Sequence, residues 1–107
     1  MSSFEKLKNK ILKFEKSIKH LEQEKKDLEK ELKNPMELGE RFKKQIEISG
    51  YKETEKETAI MAQIGCALAI KKFQKEIIVR EIKILEKQYE ISALKKEIYK
   101  WYPNERF

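Results

Sequence analysis

No disulfide can form within this chain, because Cys66 is its single cysteine. One histidine, His20, is too little for a His-based metal site or a catalytic triad. The three glycines, Gly39, Gly50 and Gly65, stand alone, so no glycine-rich phosphate loop is present. A di-iron bundle needs Glu-x-x-His on facing helices, and the sequence has none. No cofactor, no metal and no enzymatic activity are expected. The most apolar run, 59–70, has 12 residues with Gln63 its one polar member, against the roughly 20 that a membrane-spanning helix needs. The first residues, MSSFEKLKNK, are charged from Glu5 onward and do not read as a secretory leader. These absences point to a reducing cytoplasm, with no membrane partner.

What is present favours long helices. Lys, Glu, Leu and Ile dominate, and two prolines and three glycines leave few places to break. A length of 107 residues allows a single all-helical domain, 1–107. The net charge of +6 comes from lysine, since arginine occurs only at Arg41, Arg80 and Arg106. Lys and Glu are interleaved along most of the chain, which is the pattern of a solvated helix face. Cys66 lies in the most apolar run and reads as a small buried hydrophobe.

Three helices are expected, over about 3–33, 36–48 and 55–101. Ser2 with Glu5 three residues on matches a capping box. Phe4, Leu7, Ile11, Phe14, Ile18, Leu21, Leu28 and Leu32 then recur at spacings of three and four, as a and d positions of a coiled coil. Lys25 is the one polar a residue. Asn34-Pro35 should end this helix, because the residue before proline avoids helical geometry and proline suits a first turn. Ser49-Gly50-Tyr51 should stop the second helix, with Gly50 left-handed. Thr54 and Glu57 offer a second capping box, and Pro103 leaves 103–107 as a tail. The helices would be about 46, 20 and 70 Å long. The first two together match the third, which implies an antiparallel hairpin with a broken first arm. Phe4 and Leu7 would meet Ile98 and Trp101. Glu22, Glu24, Glu29 and Glu31 would face Lys83 and Lys87. Small secreted hairpins that turn at Trp-x-Gly are not matched, since the turn here lacks tryptophan.

The third helix has more apolar surface than one hairpin can bury. One ridge is Ile70, Phe73, Ile77, Ile84, Ile91, Leu94, Ile98 and Trp101; a second holds Ile60, Ile64, Leu68, Ile78, Ile82, Leu85 and Tyr89. Ala62, Gly65, Cys66 and Ala69 form a small-residue strip that permits close approach. A long apolar stripe is seldom left in water, so a helical-bundle homo-oligomer, simplest as a dimer, is expected through the second ridge and Gly65. Gln74, Glu81 and Gln88 run between the ridges, seven residues apart. They read as a register-setting polar line, with Glu81 wanting a partner from another helix. Lys95, Lys96, Lys100, Trp101 and Tyr102 gather charge and aromatics at one tip, the expected contact for a partner.

The function expected is stoichiometric binding of another macromolecule by a non-catalytic oligomer, as an adaptor or inhibitor. The Lys, Glu and Ile excess suits an AT-rich genome, which includes phage counter-defence proteins in that class. The alternatives are sequestration of a small anion such as a nucleotide between subunits, and sequence-tolerant nucleic-acid binding.

Overall fold

The computed structural model of the chain describes residues 2–48 and 53–105. Two long helices hold nearly all of them: α1, Ser3–Glu47, and α2, Glu53–Trp101. No strand occurs among the described residues. The chain is all-helical and built on two long helices, consistent with a helical hairpin. It divides into two compact units. Unit 1 joins Met1–Lys25 to Val79–Phe107, and unit 2 is Lys26–Ile78. The expected turn at Ser49-Gly50-Tyr51 lies outside the described residues.

The helix ends follow their sequence signals in part. The Glu5 amide donates to Ser2 Oγ at 3.1 Å, so Ser2 caps α1 as expected. At the other end the Ile48 amide reaches back to the Gln45 carbonyl at 3.4 Å. α2 begins at Glu53, which puts Thr54 inside its first turn instead of ahead of it. Its acidic first turn, Glu53 and Glu55, complements the positive end of the helix dipole. α2 stops at Trp101, where the Tyr102 amide donates to the Ile98 carbonyl at 2.7 Å and Pro103 forbids continuation.

The break expected at Asn34-Pro35 does not occur. α1 runs through both residues with Pro35 inside it. An interior proline forfeits one hydrogen bond, and its ring crowds the carbonyl four residues back, at a cost of about 3 kcal/mol. The seam explains why the helix continues. Counting on in sevens from Leu28 and Leu32 brings Pro35 and Phe42 to d and Gly39 and Ile46 to a. All six are half-buried. A break at Pro35 would turn Phe42 and Ile46 away from that line. Gly39 also lets the α1 backbone approach α2. A Cβ built there would stand 3.6 Å from Cys66 Cβ, in ordinary contact.

In unit 1 the two helix segments run antiparallel, since Phe4 meets Tyr102, Phe14 meets Lys87 and Glu24 meets Arg80. Ile11, Ile84 and Ile98 are buried. In unit 2 Ala59 is buried, while Cys66, Ile70, Phe73 and Ile77 are half-buried. Among the described residues, unit 1 thus has three buried apolar side chains and unit 2 has one. The first α2 ridge therefore turns inward, except Trp101, which is 62% exposed because it sits at the last helical position. Cys66, expected to be buried, is half-buried within one chain.

Candidate interaction surfaces

The second α2 ridge is open in both units. In unit 2, Ile60, Ile64, Leu68 and Ile78 are exposed, and in unit 1, Ile82, Leu85 and Tyr89 are, with values from 44% to 76%. Met61 adds to the same surface at 69%. Helix geometry produces this directly. A residue five places on from a seam position lies about 140° round the helix, too far to reach the same neighbour. Gly65 is also open, since a Cβ built on it would meet nothing within 4 Å apart from its own stretch of helix. The rest of the small strip is half-buried: Ala62, Cys66 and Ala69 border a shallow groove with Pro35 and Leu38 of α1.

The polar line is exposed as well, at Gln74, Glu81 and Gln88. Glu81 has its partner inside unit 1: Lys25 Nζ lies 3.1 Å from Glu81 Oε1. The one polar a residue of α1 thus meets the carboxylate that looked misplaced on α2. Beside it Arg80 donates to Glu24 Oε2 at 3.2 Å, and His20 Nε2 lies 2.9 Å from Glu24 Oε1. Adjacent charges of opposite sign, Glu24-Lys25, face the reverse order, Arg80-Glu81. That match exists in one register only. Both pairs are partly exposed, so each contributes about 0–1 kcal/mol.

In unit 1 the Glu24 carboxylate pairs with Arg80 and not with Lys83 and Lys87. They lie on the flank of α1 that bears Lys13, Lys16, Ser17 and His20, and with these they line a groove of about 740 Å³. Lys87 Nζ also sits 5.5 Å from the Phe14 ring centroid, a cation–π distance. Sequence reasoning missed this convergence because it paired the helices by position along the axis and ignored which flank each side chain occupies. The helix faces held the signal: Lys6, Lys10, Lys13, Ser17 and His20 follow spacings of four and three along one line of α1.

At the end of unit 1, Trp101 and Tyr102 share a pocket of about 290 Å³ with Ser3, Lys6, Leu7, Lys10 and Glu97. Lys100 Nζ stands 5.1 Å from the Trp101 ring centroid. The Phe4 and Tyr102 ring centroids are 5.6 Å apart, and the rings are tilted by 60°. Of the expected tip residues, Lys96 is exposed, while Lys95 is half-buried and already engaged. Lys6 and Lys10 replace Lys95 as cations near the indole.

Among the described residues no group of three or more His, Cys, Asp or Glu is placed to hold a metal ion. No helix is long and apolar enough to cross a membrane. No protein-family model matches the chain, and searches of curated proteins and of solved structures find no similar one.

Proposed function

We propose that the chain is a non-catalytic, self-associating helical interaction protein, an adaptor or inhibitor that binds another macromolecule stoichiometrically. The observation that carries this is the open second ridge of α2. Exposed aliphatic residues are ordinary when scattered, but these recur at helical spacing. Ile60, Ile64 and Leu68 are four apart, and Ile78, Ile82, Leu85 and Tyr89 follow at four, three and four. Such spacing is what a second helix fills.

A second copy of α2 is the simplest cover, in a two-fold dimer. The partner contact is the cationic and aromatic end of unit 1, with Lys96, Lys100, Trp101 and Tyr102.

Sedimentation velocity at micromolar concentration tests the assembly. The wild-type chain should sediment as a dimer, and Leu68→Lys with Leu85→Lys should sediment as a monomer with unchanged helical circular dichroism. Both side chains are exposed within one chain, so the substitutions leave its own seam intact. A well-folded wild-type monomer at that concentration refutes the self-association.

A further inference from the structure

The positive charge of this protein is not spread evenly. Unit 1 holds 14 Lys and Arg against 9 Asp and Glu, and unit 2 holds 11 against 10. Five of the six net charges therefore belong to unit 1. Within it, Lys13 and Lys16 from α1 and Lys83 and Lys87 from α2 converge on one groove, where Glu86 is the single acidic lining residue. The Lys6–Lys10–Lys13 line carries the cations on from there to the pocket that holds Trp101. Lys16 joins from the adjacent turn of the same helix.

We propose that this stripe is a binding site for single-stranded nucleic acid, with its phosphates in the lysine groove and a base stacked on Trp101. From Lys6 to His20 the stripe spans about 21 Å of helix. At the duplex spacing of about 3.4 Å per strand that would hold some six phosphates at most, and an unstacked strand, being more extended, places fewer. Lysines on long stems track a backbone without reading bases. An exposed indole accepts any base, because every base has a π-face. The combination of a basic track and an open aromatic favours single strands over a duplex, whose bases are already stacked. Lysines make up half of the groove's lining and contact phosphates without reading bases, so binding is sequence-tolerant. The proposal rests on the reading of this end of unit 1 as the contact surface, and it is independent of self-association.

Fluorescence anisotropy with labelled single-stranded DNA and RNA oligonucleotides, titrated at several salt concentrations, tests it. Inorganic polyphosphate and duplex DNA serve as the comparison probes. Trp101 is the only tryptophan, so its emission reports stacking directly. The wild-type chain should bind single strands with a steep salt dependence and with quenching of Trp101. Replacing Lys13, Lys16 and Lys83 together by Ala should lower the salt slope by about 2, at about 0.7 for each phosphate no longer neutralised. Trp101→Leu should weaken binding tenfold or more. A control triple in unit 2, with Ala at Lys71, Lys72 and Lys75, should stay within about twofold of wild type, because a salt slope reflects only the phosphates that the protein neutralises. The absence of salt-sensitive binding, equal losses in both triples, or polyphosphate binding as tight as the oligonucleotide with no quenching would each overturn the proposal. If the wild-type chain ignores oligonucleotides but retains a host protein through Lys100 and Trp101, the nucleic-acid assignment falls and the contact surface stands.

Discussion

Replacing Pro35 by Ala should stabilise the chain. Pro35 lies inside α1 at a d position of the seam, half-buried in unit 2. There it withholds an amide from the Glu31 carbonyl, at a cost of about 3 kcal/mol relative to Ala. The substitution removes two ring carbons, each worth about 0.8 kcal/mol when fully buried, so a half-covered ring loses about 0.8 kcal/mol in all. The balance favours Ala by about 2 kcal/mol. For a domain of this size that raises the thermal midpoint by roughly 10 °C. Circular dichroism at 222 nm measures it, with wild type and variant at one protein concentration, because self-association of the kind proposed would make the midpoint concentration-dependent. A broken arm predicts otherwise. With Pro35 at the first position of a separate helix, its missing amide costs nothing, and Ala would be neutral or worse by about 0.4–1 kcal/mol through a freer unfolded chain. A midpoint that is unchanged or lower would refute the continuous helix.

Two more predictions concern unit 1. Lys25→Glu should destabilise by about 1 kcal/mol by setting two carboxylates against each other, and adding Glu81→Lys should restore most of the loss. Chemical denaturation of the four chains of that cycle measures the coupling, and a coupling near zero would mean the pair does not hold the register. Ile98 is fully buried, so Ile98→Ala should cost about 2–5 kcal/mol; a loss below about 1 kcal/mol in the same denaturation series would mean that the site collapses freely or is not packed as described.

The helical class was legible because the 3.6-residue period dominates everything else in this sequence. The continuity of α1 was legible too, and the local rule for proline hid it. Pro35, Gly39, Phe42 and Ile46 keep the spacing of Leu28 and Leu32, but proline and glycine do not look like seam residues and end the count for a reader who follows hydrophobicity alone. Lys25 and Glu81 show a different limit. Each is an anomaly on its own helix, and each accounts for the other once the register is known. That register depends on contacts far apart in sequence, as does the flank on which Lys83 and Lys87 fall. The inward turn of one α2 ridge follows from α1 having a single narrow seam, which can cover only one side of its neighbour.

The asymmetry between the helices bears on function. α1 and α2 are nearly equal in length, at 45 and 49 residues. Yet α1 exposes only Leu12 and Met36 as large apolar side chains, while α2 exposes ten, from Ile60 to Trp101. A surface effect indifferent to function would divide them more evenly. The open ridge has the spacing of a seam, so its natural cover is a helix, from a second copy or from a partner. Those two covers exclude each other on the same face. If the chain is the dimer proposed and a partner's helix docks on α2, binding must dissociate that dimer, and the partner's apparent affinity must fall as the concentration of this chain rises. If the partner instead engages only the cationic, aromatic end of unit 1, the complex keeps two copies of the chain. The mass of the complex in solution separates these outcomes, and it decides whether self-association presents the binding surface or masks it.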